Sequence, residues 1–360
     1  MVALKDLPWH AAAWAAIAPL WTRGAHALLL HGMAGIGKKH LALDVAAGLL
    51  CERPGPLGQP CRQCASCHWF ASGNHPDARV VVPDALAELR PASSDSEVDT
   101  EDAAEVESAG ERTRRRREIV LDQVRGLNDF MAISTHRGGR RVAVIAPAED
   151  LRIEAANRLL KLLEEPPPAS VFVLATDALD AVLPTIRSRC VLVRVAAPSP
   201  EVAARWLKDQ GVTDAGQALA FHGGAPLAAY AAHAGEPPAA QQTLYPLLEL
   251  GPRLTPGAIA GAIGKDVEWA DALDVLLRWS LDLQLVARQL TVRYHPSRKS
   301  ALMALGSRCS MPALVEWSRG LLQAQRTATH PLNARMAIEA ALLEYRRVFA
   351  TEGRFPATTR

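Results

Sequence analysis

A glycine-rich octapeptide, Gly32-Met33-Ala34-Gly35-Ile36-Gly37-Lys38-Lys39, lies between an apolar run, Ala27 to His31, and a helical pattern, His40 to Leu50. This feature constrains the fold more than any other. Gly32, Gly35 and Gly37 let backbone N–H groups converge on phosphate oxygens, the helix N-terminus favours the anion, and Lys38 reaches the outer phosphates. A strand-loop-helix setting of this kind predicts an α/β P-loop fold. The position after Lys38 should be Ser or Thr, whose hydroxyl ligates magnesium. Here it is Lys39, an ammonium that repels the metal. Two readings stay open: a loop that still holds nucleotide passively, and a strand-to-helix turn that binds nothing.

Four further apolar runs support a parallel sheet: Arg79 to Val82, Arg141 to Ile145, Val171 to Ala175 and Val191 to Val195. They are near-continuous rather than alternating, as strands buried on both faces require. The α/β domain is expected over residues 1–197. Between the second and third runs, Ser93 to Arg117 carries eight acidic residues from Asp95 to Glu111, then Arg112 and Arg114 to Arg117. Such a segment buries too little apolar surface to order itself, so residues 93–117 read as a mobile insertion. After Ala197 the strand pattern gives way to Ala/Leu-rich helical patterns. Breaks at Pro198–Pro200 and Pro237–Pro238 divide a small helical unit, 198–240, from a helical bundle, 241–360. Helices are expected over Trp269 to Leu290 and Asn333 to Val348, with a frayed tail after Ala350.

A P-loop ATPase needs a carboxylate, usually Asp then Glu, at the end of a nearby strand. After Ile145 the chain reads Ala146-Pro147-Ala148-Glu149-Asp150, so neither position is filled. Glu149 and Asp150 read instead as the acidic opening of the next helix. That helix, around Ala155 to Glu165, has an apolar packing face, a Glu154–Arg158 pair at i,i+4, and a stop at Pro166 to Pro168. A core helix is the preferred reading; Arg158 and Lys161 facing phosphate is the alternative, and such contact would be sequence-blind.

Of six cysteines, four fall in one window: Cys51, nine residues, then Cys61-Arg62-Gln63-Cys64-Ala65-Ser66-Cys67. Two overlapping C-x-x-C steps place thiolates about a tetrahedron, with Cys51 closing the set. The module over about 51–67 reads as a structural zinc site, because four ligands leave no open position. An iron–sulfur cluster, a redox pair, or His68 or His75 as a ligand are the competing readings. Thr185-Ile186-Arg187-Ser188-Arg189-Cys190 lies between two strand runs. By pattern alone, its arginines are a solvated surface and Cys190 a small buried residue.

The formal net charge of +2 implies no partner of either sign by itself. No stretch of about 18 uncharged apolar residues occurs, and Met1 to Leu20 lacks the pattern of a signal peptide. No membrane association and a cytoplasmic location are expected.

In order, the chain carries His26-Ala27, the P-loop, the four cysteines, His75-Pro76-Asp77, Asp122-Gln123-Val124-Arg125, Ala155 through Asn157-Arg158-Leu159-Leu160-Lys161-Leu162-Leu163-Glu164-Glu165-Pro166-Pro167, and Ser188-Arg189-Cys190. This succession, over about Leu28 to Val195, resembles the clamp-loader subunits of bacterial DNA polymerase III, the gamma/tau and delta-prime proteins. The resemblance implies an AAA+ core, a small lid domain over 198–240 and a helical collar over 241–360. It implies assembly with gamma/tau and delta into a hetero-pentamer that loads the sliding clamp onto primed DNA in the bacterial replisome. Lys39, Ala146 and Pro147, together with Gly223-Gly224-Ala225-Pro226 where motor subunits carry a lid arginine, side with the delta-prime branch. No ATP hydrolysis by the chain itself is then expected. The resemblance further makes Arg189, with Ser188, an arginine finger acting in the site of a neighbouring gamma/tau subunit.

Overall fold

The computed structural model describes residues 7–83, 86, 118–136, 139–233, 239–264, 267–326 and 333–349. The acidic-basic segment 93–117, the Pro237–Pro238 break and the tail after Ala350 lie outside the described residues. The chain divides into two compact units, Met1–Pro198 and Ser199–Arg360.

Unit one is a parallel sheet between helical layers. Its strands are β1 (Ala27–His31), β2 (Ala78–Val81), β3 (Arg141–Ile145), β4 (Ser170–Thr176) and β5 (Val191–Arg194). Their order across the sheet is β2-β3-β4-β1-β5, and every pairing is parallel. The helices are α1 (Ala11–Thr22), α2 (Lys38–Leu50), α3 (Ala65–Ala71), α4 (Leu121–Ala132), α5 (Ile153–Glu164) and the short α6 (Pro184–Arg187). Leu29, Ala143, Phe172 and Leu174 face α4 and α5 on one side of the sheet. Leu28, Leu30, Val142, Val144 and Val173 face α1 and α2 on the other. This arrangement fits the α/β AAA+ core that the resemblance implies.

All five apolar runs are strands, but burial on both faces holds only for β1, β3 and β4. In β5, Val191, Leu192 and Arg194 are exposed, and β2 is half-buried. Both are edge strands, so each lacks a neighbour on one side. The two acidic residues after β3 do not open α5. Glu149 and Asp150 form a separate 3-10 turn, Ala148–Asp150, and α5 begins only after Arg152. Nor does Arg158 turn to Glu154: its guanidinium donates to the Asn128 amide oxygen on α4. Two long-range ties fix the sheet to its helices. Asp77 is buried, accepts from the His136 N–H at 2.9 Å and faces the Arg141 guanidinium at 3.6 Å. Arg141, equally buried, also donates to the Phe130 carbonyl in the last turn of α4 and to the Ser134 carbonyl beyond it.

Unit two is helical: α7 (Pro200–Asp209), α8 (Ala215–Phe221), α9 (Pro226–His233), α10 (Ala239–Leu250), α11 (Pro256–Ala262), α12 (Trp269–Ala287), α13 (Lys299–Gly306), α14 (Met311–Arg326) and α15 (Ala334–Arg347). The expected helices starting at Trp269 and Asn333 are α12 and α15. Their core includes Leu244, Leu276, Trp279, Leu342 and Tyr345. Trp279 Nε1 donates to Tyr345 Oη at 3.2 Å, and that hydroxyl donates to the Leu248 carbonyl at 2.7 Å, so both buried aromatic dipoles are satisfied. A second polar knot lies beside them. The fully buried Asp282 of α12 accepts from the N–H groups of Arg293, Tyr294 and His295 and from His295 Nδ1, and His295 Nε2 meets Tyr245 Oη at 3.1 Å. Among the described residues no helix is long and apolar enough to cross a membrane.

Candidate functional site

The glycine loop leaves the C-terminal end of β1, which lies inside the sheet between β4 and β5, and parallel sheets present their ligand sites at such strand ends. Gly32 has φ +151°, and a Cβ there would fall 2.4 Å from the Val195 carbonyl oxygen, so no other residue fits without moving the chain after β5. Gly35 and Gly37 have φ +72° and +89°, and Gly37 is the left-handed residue at the N-cap of α2. The loop is braced from the N-terminal side. Trp9 Nε1 donates to the Ile36 carbonyl at 2.7 Å, and His10 Nε2 meets the same oxygen at 2.9 Å. Burial holds His10 down to about 4, so at neutral pH it is an uncharged donor. Neither residue stood out in the sequence, because the contact spans 26 positions or more.

Lys38 does not point at open solvent. Its side chain is 1% exposed, with Nζ 2.5 Å from Asp177 Oδ1 and 2.5 Å from the Met33 carbonyl. Asp177 directly follows β4, whose Thr176 is in register with His31 of β1, so the sheet itself delivers the carboxylate beside the loop. The Asp177 N–H donates to Glu149 Oε1 at 2.8 Å. Burial, and next the Glu149 charge, push the neighbouring Asp150 carboxyl up. Ala146 and Pro147, where carboxylates are needed, offer no ligand, and Ala146 is buried.

The cysteine module is fastened to the same helix. α2 runs into Cys51, and Gly48 lies so close to the loop that a Cβ would sit 2.0 Å from the Gly58 carbonyl oxygen. The sulfurs of Cys51, Cys61, Cys64 and Cys67 all lie within 4.8 Å of one another, with Cys51–Cys64 at 3.9 Å and Cys61–Cys67 at 4.0 Å. A tetrahedron with metal–sulfur bonds of about 2.3 Å has edges of about 3.8 Å, so the four thiols fit a metal ion. Backbone N–H groups, first that of Gln63, hold the Cys61 thiol down to about 6, whereas burial pushes Cys51 and Cys67 up. His75 is not part of the set. Its Nε2 bonds Ser66 Oγ at 2.8 Å, its Nδ1 accepts from the Asp77 N–H at 3.1 Å, and Ser66 Oγ donates to the Leu50 carbonyl, so the imidazole braces α3 against the end of α2. Among the described residues these four cysteines alone form a metal-sized group.

Arg189 follows the short α6, whose Ile186 is buried and anchors the turn. Its Nη1 donates to the Thr185 carbonyl at 3.0 Å and lies 3.3 Å from Ser188 Oγ, and Nη2 forms an ion pair with Glu164 at the end of α5. Both side chains of that pair keep a third or more of their surface in solvent. Cys190 is buried and raised to about 12 by that burial, which leaves it an inert thiol. In the second unit, Gly223 and Gly224 turn the chain between α8 and α9 at φ +64° and +91°, and Pro226 begins α9.

Curated relatives match more than half of the chain. The chain is 37% identical to the DNA polymerase III subunit delta' of Pseudomonas aeruginosa over 230 residues, 63% of this chain and 61% of that protein. It is 32% identical to the subunit of the same name in Haemophilus influenzae over 209 residues, 57% of this chain and 54% of that one. The Escherichia coli delta' subunit is 31% identical over 225 residues, 62% of this chain and 58% of that protein. The matches thus span little more than half the length of these relatives. The family model described as DNA polymerase III, delta subunit, matches residues 21–199, which takes in the sheet, the glycine loop, the four cysteines and the Arg189 turn. Through that stretch the chain is similar to the DNA polymerase III delta subunit family.

Proposed function

We propose that this chain is a delta-prime-type subunit of the clamp loader, one that has lost its own ATPase chemistry and acts on a neighbour. The observation that carries the reading is an asymmetry within unit one. The strand end that should hold magnesium carries Ala146 and Pro147, whereas Ser188 and Arg189 stand on a partly exposed turn. The chain lacks the hydroxyl after Lys38 and both carboxylates that phosphoryl transfer needs. A guanidinium, always charged and planar, can still stabilise the charge that develops on a γ-phosphate in an adjacent subunit. The cysteine set holds zinc in a closed, structural role, fixing the loop 51–67 to α2. The second unit supplies a lid over 198–240 and a collar over 241–360, through which the chain assembles with gamma/tau and delta to load the sliding clamp onto primed DNA.

The test is reconstitution. Mixing the full chain with gamma/tau and delta should give a stoichiometric complex with clamp-stimulated ATPase activity. Arg189→Ala should leave assembly intact and lower that activity by at least about tenfold. Magnesium-dependent hydrolysis by this chain alone, abolished by Lys38→Ala, would instead identify a motor subunit of the gamma/tau kind.

A further inference from the structure

The sequence leaves open whether the glycine loop still takes a nucleotide; the surroundings of Lys38 bear on this directly. A lysine whose side chain is 1% exposed keeps its charge only if an anion or strong acceptor stands in for water. In a P-loop that anion is the ligand's phosphate. Here it is a carboxylate of the chain itself: Asp177 Oδ1 at 2.5 Å, with the Met33 carbonyl, part of the loop, at the same distance. The backbone of Asp177 is fixed beside the loop, while its side chain is 35% exposed. Asp177 is the first residue after β4, its strand is paired residue for residue with β1, and its own N–H is held by Glu149 Oε1 at 2.8 Å.

We propose that Asp177 is an internal plug of the P-loop: its carboxylate occupies the anion position at Lys38 and keeps nucleoside di- and triphosphates out. This rests on reading Gly32 to Lys39 as a P-loop and extends it, because it makes the site self-occupied rather than merely decayed. The exclusion has two parts. An incoming phosphate must break the Lys38–Asp177 pair, and it must then sit beside a carboxylate of its own charge sign, with Glu149 and Asp150 close behind. The Lys39 charge reaches Asp150 and offsets part of that repulsion, but the group placed on the loop lysine is Asp177. A loop whose lysine is already neutralised also explains how the glycine turn persists in a subunit that hydrolyses nothing: the pair ties the end of β4, the central strand, to the start of α2, which follows the neighbouring β1.

The plug predicts a gain of function from one substitution. In the full chain, Asp177→Asn keeps the size and an acceptor oxygen for Lys38 but removes the charge. Binding of ADP, followed by calorimetry at concentrations up to about 1 mM, should be undetectable for the unsubstituted chain and tightened roughly tenfold to hundredfold by Asp177→Asn. Lys38→Ala added to Asp177→Asn should abolish the gained binding, and Asp177→Glu, which retains the charge, should stay closed. Asp177→Ser provides a second uncharged variant, and circular dichroism checks that each protein is folded. If the unsubstituted chain already binds ADP through Lys38 and Asp177→Asn changes nothing, the P-loop reading stands and the plug is refuted. If neither uncharged variant, both folded, binds ADP, then the loop is not a phosphate site at all, and the plug falls with the reading it rests on.

Discussion

Asp282 makes the sharpest test of the forces in the helical unit. It is fully buried on α12, yet its carboxylate accepts from four donors: the Arg293 N–H at 2.7 Å, the Tyr294 N–H at 3.0 Å, the His295 N–H at 2.8 Å and His295 Nδ1 at 2.8 Å. Burial alone would raise its pKa, but the bonds from His295 and from the Arg293 and Tyr294 backbone outweigh it and hold the carboxyl below the usual range. In Asp282→Asn, one end of the side chain still accepts from Arg293 and Tyr294. The other becomes an NH2 that faces two donors with nothing to give them. Each buried donor left unmatched costs about 1–3 kcal/mol, so the pair costs roughly 2–6 kcal/mol. The imidazole can soften this by moving its proton to Nε2 and accepting at Nδ1, which places the expectation near the lower half of that range. For a unit of this size, about 3 kcal/mol lowers Tm by roughly 6–12 °C. Urea unfolding of the full chain, followed by circular dichroism, gives the free energy, and Asp282→Ala serves as the upper bound. A loss below about 1 kcal/mol with unchanged m for both variants would refute the claim that this carboxylate pins the 293–295 loop. The pH dependence follows from the same bonds. A carboxyl depressed in the folded state contributes stability that is present above its unfolded pKa of about 3.9, and that contribution is lost as pH falls through the folded value. The Asn variant should therefore lack part of the acid sensitivity below about pH 4.

Other outcomes are expected alongside it. Tyr245→Phe removes only the far end of the Asp282–His295–Tyr245 chain and should cost about 1 kcal/mol in the same unfolding experiment. Purified protein should contain about one zinc per chain by metal analysis, and Cys61→Ser should lower that content sharply; iron in its place would overturn the assignment. Gly48→Ala must push the Gly58 carbonyl away from α2, so it should cost about 1–3 kcal/mol and speed the loss of metal to a chelator. Asp77→Ala leaves the Arg141 guanidinium buried without its counter-charge and should cost about 3–5 kcal/mol by urea unfolding.

Most of the sheet was legible because its strands are local patterns: β1, β3 and β4 are apolar runs that a two-sided core demands. The edge strands β2 and β5 read the same way in sequence but are partly exposed, since an apolar run does not say how many neighbours it has. The cysteine set was legible because both the ligands and the turns between them lie in one window. What the sequence hid is contact at a distance. Asp177 meets Lys38 only because β4 pairs with β1, and Glu164 meets Arg189 only because α5 ends beside α6. The one available signal for Asp177 was its place, a charged residue directly after a fully buried strand, where parallel sheets present their sites. Glu149 and Asp150 misled for the opposite reason: acidic residues ahead of a helix suit its dipole, but a 3-10 turn came between.

The two cations that a phosphate would seek, Lys38 and Arg189, are both held by carboxylates of the same chain, and the difference between the two pairs argues for a division of labour. Lys38 is sealed, at 1% exposure, although Asp177 keeps 35% of its side chain in water, so removing that partner strands a buried charge. Arg189 and Glu164 keep 34% and 46% of their side-chain surfaces in water. Ion pairs so exposed contribute about 0–1 kcal/mol, a cost that one charge-assisted bond to a phosphate, at roughly 1.5–3 kcal/mol, exceeds. The cation inside the chain's own loop is thus the one that cannot be freed, and the cation on its surface is the one that can. On the proposed reading, Glu164 holds the guanidinium extended from the α6 turn until a neighbour's nucleotide outcompetes it. Glu164→Gln should then leave the finger functional, because Thr185 and Ser188 still orient it, and lower the clamp-stimulated rate far less than Arg189→Ala does. Equal losses from the two substitutions in the reconstituted complex would mean that the ion pair itself, rather than the free guanidinium, is what the neighbour requires.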